Sequence, residues 1–572
     1  MSYTGAFSKK AAHEAMLPNL FSTNTQSHFR SALFCLALFV ALPTAAQTQS
    51  ASPNTPRKNP IPARAPAKNR RDVARFAARV QSVLDEQHAQ KVFWGILVVD
   101  RDSGETLYAL NADRFFTPAS NAKIFTTSLA LATLGPNFRF RTTLETTGKL
   151  GADGHLSGDL VLIGRGDPDL SNRKFPYSGK VERDGPVEKI LAEMADEAIA
   201  KGIKQIDGGI IADDSYYPYE PYPPGWSIGD IFFTFGSPIS AIAFNDNTIT
   251  VTVTPGTKIG DPANVVVEPA SAADTFRRKI STAEANAKLE VGVVQQPGPE
   301  FLLLQGMIPL AHAPIKLDLA MPDPAETAGA SLKQIFESRG VPVSGTVRVH
   351  HALPPEIYPD APVVLGPQPA VGDPNTLVLA EHLSWPLLES VRLTNKVSQN
   401  LHAEMFLRAV GHEKKGFGVT DAGLWTEQDF LKSAGIADGD VVLSDGSGLA
   451  RDDLVTPRAT VQMLRYDERQ PWGMDYISTF PTAGVDGTLE TRMQGTTASG
   501  RIIAKTGGLD HVRALSGFTT TIGGEHLVFA IFDNNNPQRG HDSAVAIDSI
   551  AIAMVETLGA KSPSPSPHQK KK

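Results

Sequence analysis

The chain has 572 residues, enough for about two to four domains at roughly 100–200 residues each. With 41% hydrophobic and 20% charged residues it reads as an ordinary globular protein, not as a collagen-like, coiled-coil or polytopic membrane chain. The net charge of −7 is unevenly spread, with basic residues gathered at both ends and an acidic body between them, which argues against nucleic acid as a partner.

Arg30 precedes an apolar run, Ala32–Leu42, and the small residues Thr44-Ala45-Ala46 follow it. That order is the signature of a cleavable export signal, and the run is too short to span a bilayer as a helix. Residues 1–46 are therefore read as a signal peptide, which implies the periplasm or cell envelope. The sole cysteine, Cys35, lies inside that run, so the mature chain has no disulfide, thiol nucleophile or cysteine metal site. Residues 47–72, rich in Pro, Ala, Ser and Asn, read as a disordered linker, and 561–572 as a disordered tail. These basic ends imply at most a peripheral contact with membrane or envelope.

Next in order, Val73 to Leu84 has the apolar spacing of an amphipathic helix. Phe93 to Val99 and Thr106 to Leu110 read as a strand hairpin around Asp102-Ser103-Gly104. Thr117 to Lys123 then leads into the apolar run Ile124 to Leu134, closed by Gly135-Pro136, a helix so uniformly apolar that it must be buried. From 138 to 375 short strand-like runs alternate with Gly, Pro and Asp turns. Helical stretches at 187–201 and 329–339 interrupt them. Helical spacing resumes at 387–410. A hairpin around 515–532 and a helix at 544–558 end the ordered part. The two flanks, 73–137 and 376–560, read as halves of one α/β (α+β) domain with a β-rich region of two subdomains inserted at 138–375.

Three short motifs carry chemistry. Ser120 and Lys123 are three apart at a helix start and project from one face. A serine needs a nearby base to attack a carbonyl, and a lysine serves if burial or a second cation depresses its pKa. Ser398-Gln399-Asn400 sets a hydroxyl and an amide on a helical or turn segment. Lys505-Thr506-Gly507 follows the strand-like Arg501 to Ala504, where a lysine and a threonine on a strand edge suit a substrate carboxylate and the glycine admits a peptide backbone. Each triplet alone is weak; a second S-x-x-K at Ser171–Lys174 has no apolar helix behind it and reads as chance. In this order and context the three together are specific. The 14 histidines show no metal spacing, and neither a metal nor another cofactor is expected.

With these motifs the chain resembles the class C low-molecular-mass penicillin-binding proteins, the D-alanyl-D-alanine carboxypeptidase/endopeptidases. Further similar pieces are GDPDLS at 166–171, DDSYY at 213–217, PPGW at 223–226, SDGSGLARDDLVTP at 444–457 and ALSGF at 514–518. The long separation of Lys123 from Ser398 also fits that family, which carries extra domains there. The resemblance implies a β-lactamase/transpeptidase-like serine acyl-enzyme domain acting on peptidoglycan stem peptides and acylated by β-lactams. It makes Ser120 the nucleophile, Lys123 its base and Ser398 the relay to the leaving amine. It makes Asn400, Lys505, Thr506 and Gly507 substrate-binding, with the backbone N–H groups of Ser120 and Gly508 as the oxyanion hole. Two departures stand out: Gly508 replaces the usual threonine after K-T-G, so a hydroxyl toward the substrate carboxylate is lost, and Arg513 precedes Ala514. Asp167 and Asp169, as turn residues or as ligands for a cationic side chain, and Asp445 and Ser447, as a tight loop or as cleft lining, are lesser candidates. A β-lactamase or esterase on the same scaffold, and a catalytically inactive wall-binding protein, are the alternative functions. The long insert speaks against the first and the intact motif set against the second.

Overall fold

A computed structural model describes residues 70–179, 183, 185–294, 301–354, 375–537 and 544–559. The residues read as an export signal, most of those read as linker and those read as a C-terminal tail lie outside them. The first described helix begins at Arg71, so the last two residues read as linker are helical.

In chain order, the first flank holds α1 (Arg71–Leu84), β1 (Phe93–Asp100), β2 (Thr106–Leu110) and α2 (Ala122–Leu134). The middle holds β3 (Arg141–Thr146), β4 (Lys149–Leu150), β5 (His155–Ser157), β6 (Leu160–Ile163), α3 (Lys189–Ala200), β7 (Gln205–Ile206), β8 (Ile210–Asp213), β9 (Thr248–Thr254) and β10 (Asn264–Glu268). It continues with β11 (Phe276–Ala283), β12 (Glu290–Val294), β13 (Leu302–Pro309), β14 (Ile315–Ala320), α4 (Pro324–Ser338), β15 (Val347–His350) and β16 (Leu377–Leu383). The second flank holds α5 (Leu387–Val397), α6 (Asn400–Lys415), α7 (Thr420–Ser433), β17 (Val441–Val442), β18 (Leu454–Val455), α8 (Pro457–Asp467), α9 (Gly473–Ser478), β19 (Ile502–Leu509), β20 (Val512–Thr520), β21 (His526–Asn534) and α10 (Val545–Thr557).

The flanks form one antiparallel sheet in the order β19-β20-β21-β1-β2, the first hairpin adding to the last through pairs such as Ile96 with Ile531. Both faces are buried, as the continuous apolar run of β1 requires. Alternate residues Ile96 and Val98 pack with α1 and α10, while Leu97 and Val99 join the core around α2 and α6. Helix α2 sits inside that second core, with Lys123 to Leu131 all buried. The expected α/β architecture is therefore the observed one.

The middle region has its own core. Its largest sheet runs β15-β8-β6-β3-β16, and the smaller sheets are β10-β9-β14, β11-β13-β12 and β4-β5-β7. Strand β16, which sequence reading grouped with the second flank, pairs antiparallel with β3 instead. Local alternation says that a segment is a strand but not which sheet receives it. The helical spacing over 387–410 resolves into two helices, because Ser398 takes a left-handed φ of 62° between α5 and α6. No helix among the described residues is long and apolar enough to cross a membrane.

Candidate active site

Ser120 lies in a short 3-10 turn, Ala119–Asn121, that runs straight into α2. The turn is anchored by Asn121, whose buried side chain donates to Ser516 Oγ on β20 at 2.7 Å, and by two glycines that let neighbouring chain approach it. A Cβ on Gly507 would stand 2.6 Å from the Pro118 carbonyl oxygen, and one on Gly448, where φ is +79°, only 1.9 Å from that of Ala119. Both positions exclude any larger residue without displacing the serine turn.

One helical step on, Lys123 is fully buried. Its Nζ lies 3.0 Å from Ser120 Oγ, 2.6 Å from Asn400 Oδ1 and 2.6 Å from the Ser447 carbonyl oxygen. The last two can only accept. A neutral amine gives them its two hydrogens and turns its lone pair to the Ser120 hydroxyl. Burial pushes the Lys123 ammonium down to about 8, against the opposing pull of Asp445, Glu404 and Asp453.

Across the cleft Lys505 Nζ donates to Ser398 Oγ at 2.9 Å and to the Thr506 carbonyl at 2.8 Å. Lys505 is also fully buried, and burial first, then the charge of Lys123, holds it well below the usual lysine range. The charge of Lys123 thus disfavours a charge on Lys505. Ser398 owes its position to its left-handed backbone, a conformation that costs a non-glycine residue about 1–2 kcal/mol and marks a constrained site. Gln399 caps the next helix through its own side chain, accepting from Leu401 N at 3.3 Å. Asn400 therefore begins α6, and its amide donates to the Phe235 carbonyl at 2.7 Å. Thr506 Oγ1 lies 2.7 Å from Thr488 Oγ1.

Four of the candidate residues, Ser120, Ser398, Asn400 and Gly508, line one cavity of about 500 Å³ together with Phe235, Asp230, Arg451 and Arg513, while Lys123 and Lys505 reach it through Ser120 and Ser398. The departure at Gly508 is open there: a Cβ would meet only the Arg513 side chain, at 3.6 Å or more. Sequence reasoning missed Asp230, Phe235 and Arg451. Asp230 and Phe235 come from the insert, and Arg451 Nη1 meets Asp230 Oδ2 at 2.7 Å across the mouth; nothing in their spacing signals that meeting.

The lesser candidates sort the other way. Asp167 and Asp169 are buried at a turn, where Asp167 accepts from Asp169 N at 2.8 Å and Asp169 from Trp385 N and Ser390 Oγ. They fasten the insert to the second flank and do not line the cleft. Asp445 is the hub of a tight loop, accepting from Gly448 N, Leu449 N, Ala450 N, Ser447 Oγ and Trp226 Nε1. That loop delivers the Ser447 carbonyl to Lys123. Ser171, from the second S-x-x-K, is buried and accepts from Asp246 N at 3.0 Å, away from any lysine pair.

A serine and a buried lysine at a helix start, facing a second lysine on a sheet edge, on a five-stranded sheet sandwiched by helices, define a serine hydrolase of the penicillin-binding and β-lactamase fold. The chain belongs to the D-Ala-D-Ala carboxypeptidase 3 (S13) family, whose model matches residues 76–555. It is 32% identical over 495 residues to a D-alanyl-D-alanine carboxypeptidase of Actinomadura sp. (strain R39), covering 85% of each chain. It is 27% identical over 445 residues to the D-alanyl-D-alanine carboxypeptidase DacB of Haemophilus influenzae, covering 77% of this chain and 85% of that one. The crystal structure of penicillin binding protein 4 from H. influenzae shares the fold, with a TM-score of 0.69 at 24% identity over 83% of this chain and 98% of that one.

Proposed function

We propose that the protein is a D-alanyl-D-alanine carboxypeptidase that acts on peptidoglycan stem peptides through an acyl-enzyme on Ser120. One observation carries the reading: Lys123 Nζ sits 3.0 Å from Ser120 Oγ, with its other partners pure acceptors. In this reading the free amine takes the serine proton as Oγ attacks the carbonyl of the penultimate D-alanine. The oxyanion meets the backbone N–H groups of Ser120 and Gly508. The C–N bond then breaks with its electron pair on the departing nitrogen, which takes up the proton by way of Ser398. Water adds to the resulting ester, gives its proton to Lys123, and releases the shortened peptide with Ser120 restored. Thr506 and Lys505 hold the terminal carboxylate, and Gly507 and Asn400 keep the peptide alongside.

The Asp230–Arg451 pair supports a particular side chain on the retained peptide. A carboxylate and a guanidinium at one end of the cavity match a group that ends in both an ammonium and a carboxylate, as diaminopimelate does. β-Lactams acylate the same serine; the H. influenzae protein has a crystal structure complexed with a β-lactam. The catalytic domain is assigned to 73–137 and to the part of the second flank that follows β16. The rest of the middle is an insert that lends Asp230 and Phe235 to the cleft. Export through residues 1–46 places the work in the periplasm or envelope, with the basic ends as its only peripheral contacts.

The test is intact-mass spectrometry after exposure to benzylpenicillin, beside a Ser120→Ala variant. A stable adduct lost in the variant supports the proposal. No adduct with the antibiotic intact sinks it, and no adduct with rapid hydrolysis makes the protein a β-lactamase.

A further inference from the structure

Beside the loop that carries Ser447 lies a cavity that shares no lining residue with the catalytic cleft. It holds about 340 Å³ between α7, the turn that follows that helix, and β17. Its lining sorts by burial. Glu427, Leu431, Ile436 and Val441 are buried and form its inner end, while Gln428, Lys432 and Asp438 are exposed and form its mouth. Lys432 Nζ and Asp438 Oδ1 stand 3.7 Å apart there, so the two charges at the mouth answer each other.

The inner end has no such balance. Glu427 is 2% exposed, and its Oε1 has no hydrogen-bond partner among the described residues. Leu431, Ile436 and Val441 beside it have no side-chain donor to offer. Burial first, then the charges of Asp445 in the loop and Glu404 on α6, push the Glu427 carboxyl up to about 8. A buried carboxyl oxygen left without a donor is a cost that folded proteins seldom carry without a use for it.

A donor from outside the chain meets this need, and the surroundings set its chemistry. Glu427 in the wall, with Asp445 and Glu404 near it, favours a cationic head over a neutral or anionic one. The apolar wall favours a hydrocarbon body, and the volume lies at the low end for small-molecule sites. We infer that this cavity is a binding site for a small alkylammonium, whose N–H groups donate to Glu427 while its hydrocarbon chain packs on Leu431, Ile436 and Val441. The site stands apart from Ser120 and does not depend on the reaction there.

The test is a ligand-observed NMR titration of the full chain with hexylammonium at about pH 8.5, above the raised carboxyl and below an alkylamine's own value of about 10. Hexylammonium binds at one site with a Kd of about 1 mM or tighter. Hexanol and hexanoate, which match it in length, bind about tenfold more weakly or worse. Glu427→Gln keeps the shape but loses the charge, and weakens hexylammonium about tenfold or more. Gln428→Trp blocks the mouth from the exposed rim and does the same, whereas Gln428→Ala leaves the affinity within about twofold. Asp230→Asn, which removes the carboxylate of the catalytic cleft, also leaves it unchanged. Thermal unfolding shows that each variant is folded. No binding to the wild type, an affinity unchanged in Glu427→Gln or Gln428→Trp, hexanol bound as tightly as hexylammonium, or binding lost in Asp230→Asn overturns the inference.

Discussion

The burial of Lys123 sets a pH dependence that can be calculated before it is measured. An ammonium held down to about 8 leaves about one tenth of the lysine as free amine at pH 7, about half at pH 8 and about nine tenths at pH 9. Only the free amine can accept the serine proton. The second-order rate of Ser120 acylation therefore rises with pH, about ninefold from 6 to 7, about fivefold from 7 to 8 and less than about twofold from 8 to 9. An ordinary exposed lysine would give about tenfold for every unit up to pH 9 or beyond, with no bend near 8. The assay is stopped-flow acylation by a chromogenic cephalosporin across that range. Thermal unfolding at each pH confirms that the protein stays folded. A flat profile from 6 to 8, or a rate that falls with rising pH, refutes the assignment of Lys123 as the base.

Three further outcomes are expected. Ser398→Gly keeps the left-handed backbone but removes the hydroxyl that accepts from buried Lys505, so it lowers kcat/KM for D-alanine release by about a hundredfold or more through loss of the proton relay; a variant that keeps its rate contradicts this. Gly508→Thr fits the space beside Arg513 and restores a hydroxyl to the carboxylate end of the cleft. KM for an acyl-D-Ala-D-Ala peptide falls about two- to tenfold at similar kcat, and an unchanged KM would mean that Arg513 already does this work. Gly448→Ala drives a Cβ into the Ala119 carbonyl, which destabilises the protein by about 1–3 kcal/mol and slows acylation. Differential scanning fluorimetry and penicillin labelling read both effects, and wild-type values for each would show that the serine turn is not clamped there.

How much of this was legible in the sequence depends on whether the cause is local. The burial of Lys123 could be read from the unbroken apolar run behind it, because nothing but a core accommodates such a helix. The strand that carries Lys505 could be read from Arg501 to Ala504 and the glycines after it. The turn at Ser398 could not: Thr394 to Asn400 holds neither glycine nor proline, and helical spacing runs through it, so the break comes from tertiary contacts that hold Ser398 against Lys505. The same applies to β16, whose partner lies more than two hundred residues earlier. It applies again to Asp230 and Arg451, brought together only when the insert folds over the cleft. Asp167 and Asp169 show the converse, since Asp-Pro turn chemistry already explained them and the structure adds only what they fasten.

The sheet joins the first described hairpin to the last, and each lysine of the site leans on residues from a distant stretch of sequence: Lys123 on Asn400 and Ser447, Lys505 on Ser398. A chain that lacks β19 to β21 has neither the second lysine nor the strand on which β1 rests. Such a fragment has a serine with the reactivity of any other. If Ser120 is acylated as proposed, penicillin labelling becomes a test of integrity as well as of activity. Molecules that were cut short, nicked and separated, or caught before their final strands docked stay dark, and the labelled fraction counts only those that have finished folding.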